Sequence, residues 1–198
     1  MRNTVPAVSL LLFSVCALAT PSGSGHFQQA PQIPAVDPRC QISTSTTDID
    51  YGLQSRWQMQ DVDGRRQAVT PGKRQLSVTV VCPYTHNMRL KVMGGRTVRG
   101  EFRYGASGEL QVRVTGAQLD GRDVPVALTS SAGALLGAPQ EILTLLPDQT
   151  FSAVSGNLPS QGKTFNVRLE IQPVLTDNDA RVSSRQANGA SVSFELMD

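Results

Sequence analysis

The sequence predicts an all-β antiparallel sandwich held by one disulfide, and three observations carry the prediction. Short segments that alternate apolar and polar residues recur about every eight to twelve positions, separated by Gly, Pro and Asp-Gly turn signals. Two of these segments carry Cys40 and Cys82, in a chain that opens like an exported protein, so a bridge between them is expected. No internal repeat, heptad or long amphipathic helix competes with this reading.

The chain has 198 residues. Met1 to Ala19 holds Arg2, an apolar run from Val8 and a terminal Ala17-Leu18-Ala19, the pattern of a signal peptide. Its apolar run is shorter than the roughly 20 residues a membrane span needs, and no later stretch qualifies, so no membrane span is expected. Cleavage after Ala19 removes Cys16, one of the 3 cysteines, and leaves a single pairing, Cys40 with Cys82. In the chain-entropy account a loop of that length stabilises by roughly 4 kcal/mol. The net charge of +2 falls to +1 without Arg2, and the basic residues are dispersed, with Arg65-Arg66 and Lys73-Arg74 read as a solvated loop. Nucleic acid is not an expected partner.

Residues 20–39 form a Pro-rich N-terminal arm with Pro21, Pro31, Pro34 and Pro38, and the sandwich domain is placed at 40–198. Proline cannot donate to a ladder, so the arm reads as extended and outside the core. Asp48-Ile49-Asp50-Tyr51-Gly52 alternates and stops at glycine, predicting a short half-buried strand. Gln54 to Arg74 reads as a long polar loop with an added strand around Trp57, itself expected to be a core or flap residue.

The strands then follow in order. Leu76, Val78, Val80 and Cys82 share one face; Pro83 to Asn87 separates them from Met88, Leu90 and Val92. Phe102 and Tyr104 come next, then Leu110, Val112 and Val114, a turn at Asp120-Gly121, and Val124, Val126 and Leu128, where Pro125 suggests an edge. Ile142 to Leu146 fits either a helical turn or a buried strand. Phe151, Ala153 and Leu158 lead to a turn at Ser160 to Gly162. Phe165, Val167, Leu169 and Ile171 make the strongest alternation, ended by Pro173, and Ala190, Val192, Phe194 and Leu196 make the last.

No constellation of catalytic residues emerges. There is no G-x-S-x-G elbow, P-loop or G-x-G-x-x-G. His26 lies in the arm and His86 in an expected turn, neither with a second metal-type ligand at a recognised spacing, and Asp48 and Asp50 read as turn or solvent-face acids. The chain is therefore read as a non-enzyme with no cofactor and no metal.

A cysteine at the start of the first strand, Asp50-Tyr51-Gly52 after it, Leu76 to Cys82 ending in the second cysteine, and alternating Ala190 to Leu196 occur here behind an export signal. This order and spacing, over about Ile33 to Leu196, resembles a fimbrial (pilin) subunit of the bacterial chaperone/usher pathway. The resemblance implies an immunoglobulin-like sandwich of pilin type that lacks its last strand. It implies an acceptor groove with Val192, Phe194 and Leu196 on one side and Ile49 and Tyr51 on the other, and a donor arm using Phe27, Ile33 and Ala35. The implied partners are a periplasmic chaperone, an outer-membrane usher, neighbouring subunits and, for an adhesive subunit, a host-surface receptor. The implied location is the cell surface, reached through the periplasm. Two features depart from the pattern: Met197 stands where an aromatic is common, and prolines interrupt the arm. The other reading of the same residues is a self-complete secreted sandwich that binds a carbohydrate or surface protein as a monomer.

Overall fold

Pairing begins directly after Cys40, with β1 (Gln41–Thr44), in a computed structural model that describes residues 39–181, 184 and 186–197. Two short strands follow, β2 (Gln60–Asp61) and β3 (Ala68–Thr70), before the long β4 (Arg74–Asn87). Next are β5 (Arg89–Gly94), β6 (Phe102–Tyr104), β7 (Gly108–Leu119), β8 (Arg122–Asp123) and β9 (Val126–Thr129). The chain continues through β10 (Leu143–Leu145), β11 (Thr150–Ser155), β12 (Leu158–Pro159) and β13 (Gln161–Thr176) to β14 (Val192–Met197). A single helical turn, α1 (Asp177–Ala180), is capped by the Thr176 hydroxyl, which accepts from the Asp179 N–H. All pairings are antiparallel.

One sheet runs β1-β4-β13-β7, with β6, β8 and β10 also on β7 and with β3 and β2 extending the far end of β13. In the other, β11 pairs β9, β12 and β5, and β5 pairs β14. Directly opposed residues share a sheet face, so the registers Leu169↔Leu76, Val167↔Val78 and Phe165↔Val80 make an apolar face, which meets Leu90, Val92 and Phe151 of the second sheet in one core. Full burial of such side chains stabilises by roughly 1.5–3 kcal/mol each. Cys40 and Cys82 form the disulfide, at a sequence separation of 42, one step beyond the Gln41↔Val81 end of the β1–β4 ladder.

The Asp120-Gly121 turn is a two-residue hairpin with both residues at positive φ (49° and 79°), the geometry that follows the strand twist. The Asp120 carboxylate accepts from the Thr164 and Lys163 N–H groups at 2.8 and 2.9 Å, which holds its carboxyl below the usual carboxylate range.

Several expectations need correction. Among the described residues Asp48 to Tyr51 forms no ladder, and the first strand is Gln41–Thr44. Pro83 does not break β4, because it sits in a bulge where the β13 register shifts between Gly162 and Thr164. His86 is consequently a strand residue. Pro173 does not end β13: it lies past the Arg74↔Ile171 end of the β4 ladder, where that side has no partner until Leu175 meets Val69. The turn expected at Ser160 to Gly162 lies earlier, at Gly156 (φ 62°), between β11 and β12. Ile142 to Leu146 resolves as β10, with Leu143 and Leu145 buried against β7. Trp57 is no core residue; it is 88% exposed on a short 3-10 turn, Arg56–Gln58. The Arg65 and Lys73 side chains are paired, with Glu109 at 2.7 Å and Glu170 at 3.1 Å.

Candidate open-edge groove

β1 and β14 are edge strands of different sheets. Among the described residues β1 has a ladder partner only in β4, and β14 only in β5. Ile42 is opposite Val80, so it faces the core side of its sheet, yet it is 37% exposed while Val80 is fully buried. Phe194 is opposite the fully buried Val92 and is itself only partly buried. A core-facing residue at an edge stays open to solvent when its outer neighbour is missing.

Between these edges lies a groove of about 510 Å³. Val192 and Phe194 of β14 line one wall, with Ala190 and Asn188 leading into it. Thr44 of β1 and the Asp48-to-Gly52 stretch line the other. Core residues Leu76, Leu110 and Ile171 reach its floor, so the groove opens onto the hydrophobic interior.

Local chemistry holds the second wall without a ladder. The Gly52 N–H donates to Asp50 Oδ1 at 2.7 Å, closing a turn that Gly52 allows through its positive φ of 67°. The Tyr51 hydroxyl donates to the Ile171 carbonyl at 3.3 Å, and the Arg74 guanidinium lies 5.4 Å from the Tyr51 ring centre. Burial, with the neighbouring Tyr104, pushes the Tyr51 phenol up to about 12 against the pull of Arg74. Tyr104 is raised as well, by burial and by the Asp50 charge. Both phenols stay neutral at ordinary pH and serve as half-polar packing.

The segment leading into β14 is pinned too: the Gly105 N–H donates to the Gly189 carbonyl at 2.8 Å. A Cβ on Gly105 (φ 61°) would come within 2.2 Å of Asn188 Oδ1, so glycine is needed there.

Of the residues expected to form an acceptor groove, Ile49, Tyr51, Val192 and Phe194 line this one together. Leu196 packs on the core opposite Leu90 and is not among the lining residues. Phe27, Ile33 and Ala35, the expected donor residues, lie outside the described residues, as does His26. His86 Nδ1 is 2.9 Å from the Asn87 carbonyl oxygen. Among the described residues no group of three His, Cys, Asp or Glu side chains could hold a metal, and no helix is long and apolar enough to cross a membrane.

No family model matches this chain, and no curated protein is found as a relative.

Sequence reasoning missed a second apolar cluster of Val69, Leu175 and Ala180, joined by Met59 and Tyr104. It lines part of a hollow of about 550 Å³ that shares Tyr51, Gly52, Tyr104 and Asn188 with the groove. On α1, Asp177 accepts from Arg181 at 2.7 Å and from Arg56, and these hydrogen bonds lower its pKa. The i, i+4 spacing of Asp177 and Arg181 was the only sequence signal for this pair.

Proposed function

We propose that this chain is a non-catalytic subunit of a surface fimbria, exported through the periplasm and completed by an extended strand from another chain lying between β1 and β14. The observation that carries the reading is the pair of open edges flanking a groove that reaches the core. The order β1-β4-β13-β7 against β11-β5-β14 supports an immunoglobulin-like arrangement in which a strand between β14 and β1 is wanting. An inserted strand would pair its backbone with both edges and place alternate side chains over Leu76, Leu110 and Ile171. Val192 and Phe194 line its path with Ile49 and Tyr51, while Leu196 continues the same β14 face. A chaperone strand during export and a neighbouring subunit's strand in the fibre would be successive occupants, with an usher as the assembly site.

The full mature chain tests this. Produced alone in a periplasm it is expected to aggregate or be degraded. Fusing an alternating apolar strand through a flexible linker behind β14 should yield a soluble monomer of higher melting temperature. An unfused chain that is soluble, monomeric and indifferent to the fused strand would overturn the reading. That outcome would favour a self-complete module binding a carbohydrate or surface protein, for which the outward-facing Trp57 is the one supporting observation.

A further inference from the structure

We infer that the strand accepted by this groove comes from a different protein and carries a lysine or arginine where it passes Asp48 and Asp50. The inference rests on the acceptor reading above and names the partner's chemistry.

Charge is the first ground. Asp48 and Asp50 are exposed, two residues apart, and both line the groove, whose lining contains no lysine or arginine. Neither carboxylate is in an ion pair among the described residues. Arg74, the nearby cation, is stacked on Tyr51 instead. An apolar strand bearing a cation at that end is matched by this wall, and one bearing an anion is repelled.

The second ground is the composition of the chain's own arm. The arm's one lysine or arginine is Arg39, at its very end beside the disulfide-bonded Cys40, and none lies within residues 20–38 around Ile33 and Ala35. A strand between two open edges needs N–H donors on both sides, and Pro31, Pro34 and Pro38 remove them around Ile33 and Ala35, its alternating apolar pair. Neither this chain's arm nor that of a second copy fits the site, so the occupant is a proline-free strand of another protein.

The test uses the full mature chain, refolded in vitro at low concentration with its disulfide oxidised and shown to be folded by circular dichroism, and five labelled peptides, read by fluorescence anisotropy at low and high salt. Four are alternating valine-threonine strands with Lys or Glu at the first or the last position. The fifth is residues 27–38 of this chain. At one end the Lys peptide should bind about fivefold more tightly than its Glu twin at low salt, with the advantage shrinking at high salt. The end that responds also gives the strand direction. In the Asp48→Asn, Asp50→Asn double variant the twins should bind equally, and a Glu peptide whose affinity rises to that of its Lys twin reports an intact groove. Asn keeps the acceptor used by the Gly52 N–H. The 27–38 peptide should bind at least tenfold more weakly than the Lys peptide. Equal affinity of Lys and Glu twins at both ends overturns the inference and leaves the acceptor reading standing. Tight binding of the 27–38 peptide overturns the claim of a different donor. Failure of every alternating peptide to bind removes the acceptor reading and this inference with it.

Discussion

Phe165 and Phe194 occupy the same sequence pattern, each an aromatic in a run of alternating apolar residues, and they end in different surroundings. Phe165 lies on β13 between β4 and β7 and is fully buried. Phe194 lies on β14, which among the described residues pairs with β5 alone, and remains partly open. Periodicity determines which face a side chain takes, and the number of neighbouring strands determines how far it is withdrawn from water.

The comparison can be broken most directly by equilibrium urea unfolding. Phe165→Ala is expected to cost about 4 kcal/mol, the usual range for emptying a sealed core site. Reducing the Cys40–Cys82 bridge should cost roughly 4 kcal/mol as well. That loss should begin at β1, which has four residues to hold it otherwise, as hydrogen exchange of the Gln41 to Thr44 amides would register. Phe194→Ala should cost only about 1–2 kcal/mol in the isolated chain, since its ring is incompletely buried already. Equal losses at the two phenylalanines would mean that the open side is closed in solution. The same contrast predicts that β14 amides exchange faster than those of β13.

The smallest expected effect is alkaline. The folded Tyr51 phenol, at about 12, sits above its ordinary value of 10.0. Its contribution is therefore complete below pH 10 and is lost as pH rises toward 12. Tyr51→Phe should flatten that decline in a pH series of melting temperatures, and an unchanged slope would place the cause elsewhere.

Much of this architecture was legible because half-buried strands have a period of two: Leu76 to Cys82, Phe165 to Ile171 and Val192 to Leu196 fall where alternation puts them. The disulfide followed from the cysteine count and from reading the first residues as an export signal. What stayed hidden depended on partners far along the chain. Pro83 and Pro173 look like strand ends, and only the bulge beside one and the missing ladder beside the other explain why they are not. Val69 sits in a polar stretch, and its burial depends on Leu175 and Ala180, more than a hundred residues away. Alternation marked Ile49 and Tyr51 as half-buried, and the resemblance implied their place beside a groove, although the ladder that alternation suggests is absent among the described residues. Thr44 and Asn188 carried no local signal, and Leu110, expected on a strand by alternation, joins the site through topology.

The position of the bridge has a mechanical consequence. Tension entering the chain ahead of Cys40 reaches the sulfur crosslink before it can peel β1, so the load passes to the fourteen-residue β4 and its long seam with β13. Shear along that seam breaks many bonds together, whereas unzipping a four-residue edge would break them singly. Stretched end to end in a force spectrometer, the oxidised chain should therefore rupture at a higher force than the reduced one.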